Sequence, residues 1–173
     1  MTIFLLVLLA AVTRLLPHVD NASAITAVGI LSGFLLPKKQ AFIVPLAARL
    51  VSDILIGFFA WQMMFAVYGA HLVGVLLGFW IKQSSLAPVQ WIKIVVSGVA
   101  ASVVFFLVTN FAFLYPTYAH SFSGIILAYQ NGLPFYRGTL LGDAGYTVGI
   151  FAVYFAAVKT VQSTWEKKIF SKT

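Results

Sequence analysis

Four ionisable residues sit inside or at the edge of strongly apolar runs: Arg14, Arg49, Asp53 and Asp143. At a bilayer centre each costs about 2.5–3.5 kcal/mol unless it is paired or faces water, so each needs a reason to be there. Arg49 and Asp53 are four residues apart, which puts them on one helix face as a pair. Asp143 has no such local partner, and the nearest basic residues in the layout below are Arg14 and Arg137. Asn110 adds a fifth polar position. Around these groups fall His18, Asp20, Asn21, Trp61, Gln62, Tyr115, Tyr118, His120, Tyr129, Gln130, Asn131 and Tyr136. Part of that set is an interfacial aromatic belt. A few convergent polar groups beneath aromatic walls are also the makeup of a small-molecule pocket. Arg14, Asp53, Asn110, Asp143, Arg137, Tyr136, Trp61 and His18 are the expected substrate-binding residues. Arg14 and Arg137 suit an anionic group, and Asp53 and Asp143 a cationic or hydrogen-bond-donating one.

Catalytic chemistry has no comparable support. The chain carries no HExxH, GxSxG or P-loop motif. Its three histidines lie in three different segments, and His71 reads as a hydrogen-bonded bundle residue. With no cysteine there is no thiolate ligand, nucleophile or disulfide. The expectation is a non-enzyme without cofactor or metal.

The elements that must position these residues follow from composition. Of 173 residues 61% are hydrophobic and 9% charged, with a mean hydropathy of +0.99, against about 25% charged residues in soluble domains. This is the composition of an integral membrane protein. The net charge of +7 is scattered between apolar runs, so it reports topology and not nucleic-acid binding. Spans are read at about 2–16, 24–36, 41–62, 65–81, 91–114 and 138–162, followed by a basic tail at 163–173. Residues 121–133 are apolar but too short to cross. If they stay on the outer side, Lys38, Lys39, Lys82, Lys93, Lys159, Lys167, Lys168 and Lys172 share the cytoplasmic side. The expected fold is therefore an all-α, six-helix membrane bundle with both termini cytoplasmic and a partly helical outer connection at 115–137. Small residues at four-residue spacing, Gly29/Gly33, Gly74/Gly78 and Gly138/Gly142 with Gly145/Gly149, mark close helix contacts. They serve either packing within the chain or docking of a partner subunit.

The order of elements resembles the substrate-binding S components of energy-coupling factor (ECF) transporters. The resemblance rests on Arg14-Leu15-Leu16-Pro17, the Gly29–Pro37 segment, Ser52-Asp53-Ile54-Leu55-Ile56-Gly57, and Pro134-Phe135-Tyr136-Arg137-Gly138 leading into the last helix. Together with Val108-Thr109-Asn110-Phe111 and Gly142-Asp143, these segments look like an uncharacterised family of bacterial inner-membrane proteins with the same layout. The resemblance implies uptake of a small, vitamin-like molecule across the bacterial inner membrane. It also implies an ECF-type transmembrane coupling subunit and ATPases as partners. The first helix, Leu9-Ala10-Ala11-Val12-Thr13-Arg14, lacks the Ala-x-x-x-Ala pair with which S components dock that subunit. The other function left open is a scaffold or assembly factor that binds a larger membrane complex through its glycine faces.

Overall fold

The computed structural model describes residues 1–17, 21–83 and 87–170, with side chains through 164. His18 and Asp20, and Lys172 of the tail, lie outside the described residues. Among the described residues six α-helices follow in order: α1 (Thr2–Leu15), α2 (Ile25–Leu35), α3 (Lys38–Ile56), α4 (Trp61–Lys82), α5 (Ala87–Thr109) and α6 (Phe122–Phe170), with a 3-10 turn at Ala112–Leu114. Among the described residues there is no strand. The helices alternate in direction, so the C-termini of α1, α3 and α5 meet the N-termini of α2, α4 and α6 at one end of the bundle.

Among the described residues three helices are long and apolar enough to cross a membrane: α4, α5 and the 122–164 portion of α6. The other three are shorter or more polar. α1 has 14 residues and α2 has 11, while α3 has 19 and carries Lys38, Lys39, Arg49 and Asp53.

The short α2 is the hub. Its residues Ile25 to Gly33 are all buried, enclosed by α1, α3, α4 and α6. Lipid tails are as apolar as leucine, so helices in a membrane gain little hydrophobic energy from meeting, and close approach supplies dispersion contacts instead. The glycines make this possible. A Cβ on Gly33 would strike the carbonyl oxygen of Val75, and one on Gly78 would strike that of Ile30. A Cβ on Gly74 would lie 2.9 Å from the Thr26 carbonyl oxygen, and one on Gly29 would lie 3.4 Å from that of His71. These four glycines, expected as candidates for partner docking, are consumed by the α2–α4 contact inside the chain. Gly142 likewise packs on the backbone of Ala22, whose Cα would lie 2.7 Å from an added Cβ. Gly145 and Gly149 differ: both are exposed, with open space where a Cβ would stand.

Pro45 interrupts the hydrogen bonding of α3, because its missing N–H leaves the Ala41 carbonyl without its helical donor. Ser32 of α2 supplies the replacement, its one hydroxyl hydrogen shared between Ala41 O at 2.9 Å and Gly29 O of its own helix at 2.8 Å. This interhelical repair is the kind a bilayer demands, since no water is present to make it.

Two expected boundaries are corrected. The 41–62 span ends earlier, at Ile56, because Gly57 takes φ +116°, ψ 150° and turns the chain. Trp61 and Gln62 therefore open α4. The outer connection at 115–137 and the span at 138–162 are not separate, since residues 122–137 form the first turns of one 49-residue helix running through Pro134. The tail is also helical, as far as Phe170. The conformation at Gly57 is reserved for glycine, and a side chain there adds strain of about 1–3 kcal/mol. Gly57→Ala is accordingly expected to lower stability by that amount although nothing lies within 4 Å of its Cβ position. Melting in detergent checks this.

Candidate functional site

The end of the bundle where α1, α3 and α5 finish holds a cavity of about 660 Å³. Arg14 of α1, Ile56 and Gly57 at the end of α3, and Met63 and Val67 of α4 line one side. Phe105, Phe106, Thr109 and Asn110 of α5 line the other, with Tyr115 and Tyr118 from the connection. α6 closes it with Ala128, Asn131, Gly132, Phe135, Tyr136 and Thr139, whose spacing of three and four keeps them on one face. Hydrogen bonds to backbone fix the polar walls. Asn110 Nδ2 donates to Phe106 O at 3.0 Å, and the Tyr115 hydroxyl donates to Thr109 O at 2.7 Å. Burial, with the neighbouring Tyr118 second, pushes the Tyr115 phenol above its ordinary pKa, so it stays a donor.

Beneath this cavity lies an annex of about 130 Å³ that shares Arg14, Asn21, Arg49, Phe105 and Thr139 with it. Ser23, Thr26, His71 and Asp143 complete the annex. Thr26 stands between the two titratable groups: its hydroxyl lies 3.0 Å from His71 Nδ1 and faces the Asp143 carboxyl. Phe105 lies against the His71 ring, with centroids 5.0 Å apart.

One carboxylate serves both arginines. Arg14 Nη1 lies 2.6 Å from Asp53 Oδ1, and Arg49 Nε donates to Asp53 Oδ2 at 3.1 Å. The Tyr68 hydroxyl donates to the same Oδ2 at 2.8 Å, and Ser52 Oγ accepts from Arg14 at 2.6 Å. Asp53 is fully buried, so this network holds the two guanidinium groups at the cavity floor. Arg49 also stacks over Phe59, 5.4 Å from the ring centroid.

Of the residues expected at the site, Arg14, Asn110 and Tyr136 line the cavity, Asp143 lines the annex, and Asp53 stands behind both as counter-ion. Two are elsewhere. Trp61 is 65% exposed and packs edge-on against Phe65 along an outer apolar groove, because the turn at Gly57 moves it onto α4. Arg137 is exposed on α6, two positions from Thr139 and hence on the opposite face of the helix. Placed at the site without having been expected there are Arg49, read only as a local pair, together with Thr26, His71, Phe105 and Thr139. Thr26 and His71 sit in apolar runs with no spacing that links them, so only the fold brings them together. Among the described residues no group of three His, Asp or Glu side chains is placed to hold a metal ion.

Fold and site together define an all-helical protein of membrane-spanning type with a polar-floored cavity at one end of its bundle. The chain belongs to DUF6580, a family of unknown function, whose model matches residues 1–165. No curated protein and no solved structure matches it.

Proposed function

We propose that this chain is a substrate-binding membrane subunit for uptake of a small, partly polar micronutrient, energised by a partner ATPase module. The observation that carries this reading is the cavity of about 660 Å³ with aromatic walls and two guanidinium groups in its floor. Its volume lies in the range of small-molecule sites, roughly 300–1,000 Å³, and an ordinary bundle contact requires no such space. The lysines, gathered toward the opposite end of the bundle, support an orientation in which the cavity faces the outer side of a bacterial inner membrane, where a nutrient arrives. The sequence carries no P-loop, which agrees with an energy supply from another chain.

Ala128 is 2% exposed and lines the cavity, so Ala128→Trp fills it from one wall. Native mass spectrometry of the protein extracted from host membranes in mild detergent is expected to show a retained small molecule. In Ala128→Trp that molecule is lost while the protein still inserts. Equal retention by the variant removes the cavity as the site. A scaffold role rests on Gly145 and Gly149, whose outward faces on α6 are open to a partner helix. It requires that Gly145→Leu break association with a membrane complex, with no small molecule involved.

A further inference from the structure

The annex contains two buried polar atoms that no hydrogen bond satisfies: Oδ2 of Asp143 and Nε2 of His71. Their residues are 3% and 4% exposed, and both line the annex. Buried polar groups are nearly always partnered, so two adjacent orphans facing one small space point to something that occupies it. Thr26 decides what they offer. Its hydroxyl carries one hydrogen, and when that hydrogen goes to the Asp143 carboxylate, Thr26 must accept from His71 Nδ1. The His71 proton is then on Nδ1, and Nε2 is left as an acceptor. In that arrangement, with Asp143 ionised, both orphan atoms are acceptors.

An occupant must therefore donate to two acceptors at once. A free ammonium group fits poorly, because the guanidinium groups of Arg14 and Arg49 line the same space. A neutral amino group on an aromatic ring fits better: its two hydrogens reach Asp143 and His71, while ring nitrogens beside it accept from the guanidinium donors. Phe105, shared by cavity and annex, offers that ring a stacking face. The volume of about 130 Å³ is on the scale of a cavity that takes one six-membered ring, about 150 Å³. We infer that the annex binds the amino edge of an amino-substituted nitrogen heterocycle, with the amino group donating to Asp143 Oδ2 and His71 Nε2. The inference rests on the uptake reading above and names the substrate class for it.

The test uses the full chain in mild detergent and two probes of one shape, 2-aminopyrimidine and 2-methylpyrimidine, titrated by saturation-transfer NMR. The amino compound is expected to bind about tenfold tighter or better, since a site built for donors rejects the analogue lacking them. Asp143→Asn, which keeps an oxygen for Thr26, is expected to bring the pair to equal affinity. His71→Phe does the same from the other side and serves if Asp143→Asn fails to fold. Equal affinities in the unaltered protein, no binding of 2-aminopyrimidine, or a preference that survives in both variants each overturns the inference. A retained native molecule that has no amino edge and is lost in Ala128→Trp overturns this assignment while leaving the uptake reading intact.

Discussion

Asp53→Asn is expected to be the most damaging isosteric change in the protein, costing about 3–5 kcal/mol. The substitution preserves volume and leaves an oxygen for the Tyr68 hydroxyl, yet it removes the one negative charge that Arg14 and Arg49 share at 2.6 and 3.1 Å. Both guanidinium groups are largely withdrawn from solvent, with side chains 14% and 12% exposed, so neither recovers its lost partner from water. Breaking a buried pair by deleting one member is costly because the surviving charge stays buried. Here two charges survive and repel each other. Unfolding by SDS titration in mixed micelles measures the loss. Adding Arg49→Leu to Asp53→Asn is expected to restore part of it, because the second change removes one of the stranded charges. A double variant no better than the single one shows that Arg14 carries the whole effect. Tyr68→Phe, which deletes one hydrogen bond to the carboxylate, is expected to cost less, about 1.5–3 kcal/mol.

Gly78→Ala is expected to cost about 3 kcal/mol or more, and Gly78→Leu to leave no folded bundle. The added Cβ would strike the Ile30 carbonyl oxygen and come within 2.8 Å of the Phe34 nitrogen and 2.9 Å of the Gly33 Cα. All three are backbone atoms of α2, so no rotamer change relieves the clash, and overpacking reaches or exceeds its usual ceiling of about 3 kcal/mol. The separation of α2 from α4 would have to grow along its whole length. Gly145→Ala is the control. It meets nothing within 4 Å, and the higher helix propensity of alanine makes it neutral or stabilising by up to about 1 kcal/mol. Detergent melting of both variants checks the contrast. If Gly145→Ala proves as harmful as Gly78→Ala, the exposed glycine face is occupied by a partner.

Much of this architecture is legible in the chain because local rules govern it. The Arg49–Asp53 pair follows from a four-residue spacing, and the glycine pairs announce where backbones approach. The limits of α1 and α2 lie within a residue of the apolar runs at 2–16 and 24–36. What escapes is what depends on distant residues. Nothing near Arg14 in sequence indicates that it meets Asp53, because that contact exists only when the end of α1 lies against the end of α3. Pro134 reads as a boundary because proline removes a helical hydrogen bond, yet α6 passes through it. The glycine at 57 reads as one more small residue in an apolar run, and only its positive φ shows that it ends α3 and carries Trp61 away from the cavity. The cluster of Asp143, Thr26 and His71 spans three helices, so no motif could have expressed it.

The smallness of α2 bears on how the protein is made. Eleven residues rise roughly 16 Å, about half of a hydrocarbon core roughly 30 Å thick, and each end of a helix leaves up to four backbone groups without helical partners. Such a segment is no stable resident of lipid alone. During synthesis it has α1 beside it first and then α3, whose Pro45 leaves a carbonyl that Ser32 must satisfy. The surface that Gly33 and Ile30 require, Gly74, Val75 and Gly78 of α4, is still unmade while the ribosome completes α3. The hub of the bundle is therefore a late event of biogenesis, set in place after the spans that enclose it have been inserted. A defect in α4 would thus be felt first as rejection of α2 by the membrane.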